Sequence, residues 1–247
     1  MMLRKWEKLP PCMQTDEVRA YYDALRKRRC SLFFKRVFDV FASLVLLILL
    51  SPAFLVLAIA IKVDSRGPVF YRQVRVTQYG AQFRIFKFRS MVQDADRVGT
   101  AVTVKGDARV TRVGAFIRKY RFDEFSQLID VLRGKMTLVG TRPEVQKYVD
   151  RYTPEMMATL LLPAGITSLT SIYYRDEAER LEAGGNPDEV YVNDVLPEKM
   201  YYNLKAVREY SFWQDIKTLF MTFFAICGKE YKGDYQPRKE KDTASVS

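Results

Sequence analysis

The sequence predicts a mainly helical α+β protein with one membrane segment, interfacial amphipathic helices and a small β-hairpin. Three observations predict it. Val37 to Ile61 is an apolar run holding one formal charge, Asp39. Two short stretches beyond it alternate with period two across Gln78-Tyr79-Gly80, the pattern of a hairpin. Most other segments read as short helices between turn residues.

The apolar run is long enough, at about 1.5 Å per residue, to cross a hydrocarbon core of roughly 30 Å. It starts too late and runs too long for a cleaved signal peptide, so it is expected to stay in the mature protein. Arg26, Lys27, Arg28, Arg29, Lys35 and Arg36 precede it; Lys62, Arg66, Arg72 and Arg75 follow. With basic residues on both flanks, the rule that orients a spanning helix finds no asymmetry. Pro52 cannot donate to the Ile48 carbonyl, so a kink is expected at Ser51-Pro52, with the Ser51 hydroxyl serving a freed carbonyl. A helix–break–helix that enters and leaves on one face fits both facts. An ordinary signal-anchor helix with a tolerated proline stays open.

Four parts follow in order: a basic N-terminal extension (1–36), the membrane segment (37–63), a folded domain (64–228) and a disordered tail (229–247). In the extension, Thr15-Asp16-Glu17 reads as a helix start leading into a basic, lipid-facing stretch. Val69–Val76 and Gln82–Phe88 read as the hairpin, one face apolar and the other basic, the latter either a solvated polar face or a wall for phosphates continued by Lys87 and Arg89. Residues 92–110 read as a loop and Thr111–Tyr120 as a short helix carrying Arg112 and Arg118. Asp123 to Leu132 reads as a second helix ended by Gly134, and Met136–Val139 as a strand. Pro143 to Tyr152 reads as a helix opening at a proline and an acid. Met156–Leu162 and Ile216–Ile226 are core or interfacial helices, which periodicity does not separate.

The chain carries a formal charge of +11, which calls for an anionic partner: nucleic acid, anionic lipid or a phosphorylated substrate. It has no histidine, excluding Ser-His and Cys-His catalysis and imidazole-ligated zinc. Cys12, Cys30 and Cys227 lie far apart, which fits a reducing setting. Carboxylates and basic residues are then the natural reagents. Asp123 and Glu124 sit at an expected helix start, where the dipole and free N–H groups favour the ionised form. Asp123 would serve as a nucleophile and Glu124 would hold a divalent cation. Arg112, Arg118 and Arg121 precede the pair and Arg142 follows on a tight turn. Carboxylates, a metal and arginines suit phosphoryl transfer.

The runs FYRQVRVTQYGAQFRIFKFRSM and IRKYRFDEFSQLIDVLRGKMTLVGTRPE, preceded by KRVFDV and an apolar segment with Ser-Pro, resemble the bacterial sugar transferase family over roughly Lys35 to Ala225. These are the monotopic polyprenyl-phosphate phosphoglycosyl transferases. The resemblance implies a catalytic domain on the cytoplasmic face of the bacterial inner membrane and a re-entrant helix broken at Ser51-Pro52. It implies transfer of a sugar 1-phosphate from a UDP-sugar to undecaprenyl phosphate, with UMP released. Asp123 would carry the covalent phosphosugar, Glu124 would associate with Mg²⁺, and Arg118 and Arg142 would contact phosphate, with Pro143 in the same turn. Anionic membrane lipids and the two substrates are the implied partners, without nucleic acid; whether the chain forms a homodimer is left open. Four positions depart from the family pattern: Ser126 and Thr141 replace prolines, Lys135 replaces an acid, and Ser168 replaces a glycine. A membrane-anchored basic adaptor for anionic lipid or nucleic acid, and a nucleotide-sugar hydrolase, are the rival readings.

Overall fold

The computed structural model describes residues 3–93, 95, 107–174 and 187–233. Most of the expected 92–110 loop and of the 229–247 tail lies outside these residues. The chain forms α1 (Asp16–Lys27), α2 (Arg29–Asp64), β1 (Phe70–Val76), β2 (Gln82–Phe88) and α3 (Arg112–Lys119). A 3₁₀ segment (Phe122–Gln127) then runs into α4 (Leu128–Leu132), followed by β3 (Met136–Val139), α5 (Gln146–Val149), β4 (Ala164–Thr167) and α6 (Leu169–Tyr173). Short α7 (Pro187–Val190) leads to α8 (Leu196–Arg208) and α9 (Phe212–Ile226).

Within the stretch read from the sequence as a basic lead-in, residues from Leu3 to Leu32 contribute to the core. Thr15 caps α1 by accepting from Val18 N, as expected. The apolar face of α1 and the turns before it then bury Leu9, Met13, Val18, Tyr22 and Leu25 against Leu160, Leu161 and Val207. On α1 itself Arg26 and Lys27 are exposed and Arg19 is half-buried.

The apolar helix begins at Arg29, eight residues before the apolar run itself, and continues to Asp64. The expected break at Ser51-Pro52 is not an interruption: Pro52 sits inside one helix. The Ser51 hydroxyl donates to the Ile48 carbonyl at 2.8 Å, supplying the partner that proline removes. One stripe of this helix faces the domain. It starts with buried Lys35, Asp39 and Ser43, runs through Leu47, Leu50, Phe54 and Leu57, and ends at Ile61 and Asp64. These positions recur every three or four residues, the spacing of a single helical face. The opposite face, including Phe41, Ile48, Leu49, Leu55, Val56 and Val63, is exposed.

The hairpin forms where expected. β1 and β2 pair antiparallel, Phe70 opposite Phe88 and Val76 opposite Gln82. Tyr79 and Gly80 take left-handed conformations in the turn (φ 59° and 74°). Its faces are mixed rather than apolar against basic. Tyr71, Gln73 and Arg75 share one face with Phe83, Ile85 and Lys87, because cross-strand partners point the same way. Arg72 lies on the other face, its guanidinium 3.4 Å from the Phe86 ring centre. A second, two-stranded parallel sheet joins β3 to β4.

Two further expectations change. The helix expected from Pro143 starts at Gln146, because the Pro143 carbonyl accepts from Arg75 and the Glu144 carbonyl from Val76 N. Those carbonyls are taken by β1 and are lost to a first helical turn. Met156–Leu161 is core, with Ala158, Thr159, Leu160 and Leu161 buried. Helix α9 is divided: Asp215, Thr218 and Leu219 face inward, while Trp213, Phe220, Phe223, Phe224 and Ile226 form an exposed apolar stripe.

Lys35 donates to the Val139 carbonyl (2.9 Å) and to Asp215 (2.7 Å), and lies 3.8 Å from Asp39. Asp39 accepts from the Thr137 hydroxyl and from Leu138 N. Asp39→Ala removes one partner of this buried network and leaves Lys35 undercompensated. It is expected to lower unfolding free energy by about 3–5 kcal/mol, read as a fall in melting temperature of the purified protein in detergent.

Candidate active site

The site forms where α3, the 3₁₀ segment, β2 and the turn after β3 converge. Thr111 starts α3 by accepting from Gly114 N at 3.0 Å. Gly114 is required for close approach: a Cβ there would overlap the Ser90 carbonyl, so α3 lies directly on the chain leaving β2. At the end of α3 the backbone reverses at Arg121, a non-glycine residue held left-handed (φ 57°), a conformation that costs energy and recurs at functional sites. Asp123 and Glu124 follow at once, in a 3₁₀ turn rather than the expected α-helix start. Ser126 donates to the Asp123 carbonyl at 3.1 Å and ties this turn down.

Arg142 arrives from the other side. Gly140 N donates to the Thr167 carbonyl and Gly165 N to the Thr141 carbonyl, extending the β3–β4 ladder to the residue before Arg142. A Cβ on Gly165 would overlap the Gly140 backbone, so the two glycines permit this contact. Arg142 donates to Glu124 Oε1 at 2.6 Å. Lys87 comes from β2, its Nζ 3.8 Å from Asp123 Oδ2.

Burial pushes the Asp123 carboxyl upward, as does neighbouring Glu124; Lys87, Arg142 and Arg118 pull it down, and the net direction is up. The expectation that a helix start keeps Asp123 ionised is replaced by a balance between burial and side-chain cations. Burial also pushes Glu124 upward, but Arg142 and Lys87 outweigh it and hold Glu124 down to about 2. Lys87 is pushed down by burial, against the pull of Asp123. The pair is therefore asymmetric: a more basic, partly desolvated Asp123 oxygen beside a Glu124 that stays ionised down to about pH 2.

The structure brings together Lys87, Arg118, Asp123, Glu124 and Arg142. It also adds Arg75, which donates to the Pro143 carbonyl at 3.2 Å and whose charge acts on Lys87 and Glu144. Hairpin register was the available signal for Arg75, since it places that residue on the Lys87 face. Arg89 and Arg112 lie elsewhere. Arg89 is buried and donates to the Ser65 and Arg66 carbonyls, holding the end of α2. Arg112 opens α3 near Asp64, whose carboxylate accepts from Val113 N at 3.0 Å. Pro143 contributes its backbone carbonyl, and Ser51 and Pro52 lie within α2.

Among the described residues no group of three His, Cys, Asp or Glu side chains is gathered to hold a metal. Asp123 and Glu124 fit a magnesium ion only in part. Glu124 is ionised but has one oxygen on Arg142, so substrate phosphate oxygens and waters would complete the shell, the usual arrangement for this ion.

Fold and site together define a class: a helical domain built along one apolar helix, with a carboxylate pair set among cations. The bacterial sugar transferase family model matches residues 30–229, and the chain belongs to that family. It is 36% identical over 200 residues to the UDP-glucose:undecaprenyl-phosphate glucose-1-phosphate transferase of Klebsiella pneumoniae, covering 78% of this chain and 40% of that protein. It is 35% identical over 197 residues to the UDP-N-acetylgalactosamine-undecaprenyl-phosphate N-acetylgalactosaminephosphotransferase of Aeromonas hydrophila, covering 78% and 44%. A UDP-glucose:undecaprenyl-phosphate glucose-1-phosphate transferase of Caulobacter vibrioides is 36% identical over 192 residues, covering 76% and 67%. The matched region thus spans less than half the length of the first two relatives.

Glu124 gives a pH signature. Its folded pKa is depressed, so its stabilisation is complete above the unfolded value of about 4.3 and is lost as pH falls toward about 2. Glu124→Gln is expected to flatten the acid-side decline of stability across that window, measured as melting temperature against pH.

Proposed function

We propose that this chain is a phosphoglycosyl transferase. It moves a sugar 1-phosphate from a UDP-sugar to undecaprenyl phosphate, the first membrane step of a polysaccharide or glycoconjugate pathway. The single observation that carries the chemistry is the Asp123 carboxylate, 3.8 Å from Lys87 and adjacent to a Glu124 already neutralised by Arg142. Relatives whose names state this reaction support it.

In the first step an Asp123 oxygen attacks the β-phosphorus of the donor. The bond to the bridging oxygen breaks and UMP leaves with the electron pair, giving an aspartyl-phosphosugar. In the second, a phosphate oxygen of the acceptor attacks the same phosphorus and the bond to Asp123 breaks, restoring the carboxylate. Each substrate uses one small site in turn, as covalent catalysis allows. Lys87, Arg118, Arg142 and Arg75 supply fixed positive charge for the incoming diphosphate and for the charge developing on the leaving phosphate, in a partly buried setting that strengthens both. Glu124 keeps Arg142 in place while the site is empty of substrate. A magnesium ion, when bound by Glu124 and the diphosphate, would add charge neutralisation on the leaving group.

The membrane placement is part of the same proposal. The first half of α2 packs on β3 and α4, and the second half on α3 and the end of β2. A helix crossing the bilayer would carry one end away from its domain; here both halves stay against the same domain. That supports a re-entrant, monotopic arrangement at the cytoplasmic face of the bacterial inner membrane, with the exposed apolar faces of α2 and α9 in lipid.

Asp123→Asn in purified protein is expected to lose UMP release by several orders of magnitude; a near wild-type rate would remove Asp123 as nucleophile. Turnover should require polyprenyl phosphate, and UMP release without acceptor beyond one equivalent would favour a hydrolase. No UMP release under any condition would leave the adaptor. Glu124→Gln should weaken the Mg²⁺ dependence.

For topology, Cys12, Cys30 and Cys227, all exposed, are replaced by serine and single cysteines placed at Arg28 and Ser65. Neither should react with an impermeant thiol reagent in intact cells, and both should react after lysis. One reacting from outside would establish a span.

A further inference from the structure

A groove of about 630 Å³ lies between the start of α2 and the start of α9, apart from the carboxylate site. Its wall is aromatic: Phe34, Phe38 and Phe41 from α2 and Phe212 and Trp213 from α9, with Phe38 edge-on to Phe212 at 5.6 Å. The wall is open to its surroundings, since Phe34, Phe41 and Trp213 are 62%, 66% and 77% exposed.

One end is different in chemistry. It is formed by Ser31 and Ser211. Tyr210 donates its hydroxyl to the Ser31 carbonyl at 3.3 Å, and Arg28 donates to the Tyr210 carbonyl, which fixes a guanidinium at this end. Arg26, Lys27 and Arg29 are its neighbours in sequence, all exposed. From Ser31 to Phe41 the helix rises about 15 Å, half of a hydrocarbon core of roughly 30 Å. The groove is therefore one leaflet deep, cationic at its polar end and apolar along its length.

We propose that this groove is a binding site for an anionic glycerophospholipid. One acyl chain lies along the aromatic wall, and the phosphate lies at Arg28 and Arg29. The proposal rests on the membrane placement above. Two features favour a phospholipid over the acceptor. The groove has the depth of a single acyl chain, and neither Asp123 nor any of the cations around it contributes to its lining. Bound there, the lipid clamps α2 to α9 at the level where Lys35 reaches Asp215.

The chain has two tryptophans, so Trp6→Phe leaves Trp213, in the groove wall, as the sole indole emitter. This protein is placed in phosphatidylcholine nanodiscs doped with phosphatidylglycerol brominated on its acyl chains, or with equally brominated phosphatidylcholine. Half-maximal quenching of Trp213 is expected at a roughly thirtyfold lower mole fraction of the anionic lipid, the occupancy ratio given by two contacts of about 1 kcal/mol each with Arg28 and Arg29. Arg29→Gln alone should cut the preference to roughly fivefold, and Arg28→Gln with Arg29→Gln should bring the two curves together. Equal quenching by both lipids in the parent protein means annular contact only and overturns the proposal. Quenching displaced by polyprenyl phosphate at low mole fraction assigns the groove to the acceptor, and also overturns it. Absence of quenching by every brominated lipid overturns the membrane placement itself, an outcome distinct from loss of headgroup preference.

Discussion

Two charges on the apolar helix hold the molecule in register. Lys35 and Asp39 stand one turn apart on the inward stripe of α2, and both are almost fully buried. A buried ion pair repays its desolvation only when its remaining hydrogen-bonding positions are satisfied. Here they are met by the Val139 carbonyl and Asp215 on one side, and by Thr137 and Leu138 N on the other. The same contacts fix α2 against β3 and draw in α9. β3 leads within three residues to Arg142, so the apolar helix and the Arg142–Glu124 contact belong to one continuous framework.

The electrostatics of the site follow from burial. Several cations converge on two adjacent carboxylates, leaving a surplus of positive charge at the site. Glu124 is fully engaged by Arg142, whereas Asp123 is closest to Lys87, itself weakened by burial. One carboxylate is therefore fully paired, and the other keeps a weaker partner. Their adjacency in sequence conceals this difference, which comes from which cation each one meets.

Much of the fold was legible because it depends on short-range chemistry. Thr15 and Thr111 announce helix starts through their hydroxyls, Gly134 ends a helix with a positive φ, and Tyr79-Gly80 reverses the hairpin. The role of Ser51 beside Pro52 follows from the missing proline N–H alone. Where reading the sequence in isolation departed from the structure, a distant partner decided the outcome. The helix expected at Pro143 is delayed because β1 takes its carbonyls. Arg89, grouped by sequence with a phosphate-binding wall, turns back to cap α2. Residues 1–36 look basic by composition, yet the apolar face of α1 is what meets the core.

The sequence by itself determined the apolar helix, the hairpin, the Asp123-Glu124 pair and the family, since each is written in a contiguous run of residues. Only the tertiary structure decided which cations stand at that pair, that Arg75 joins them while Arg89 and Arg112 do not, and that both halves of α2 lie on one domain. The reason is physical. Caps, turns and periodicity act over a few residues of chain. Ion pairing and burial act through space, between segments that meet only after folding, such as Lys87 with Asp123 and Lys35 with Asp215.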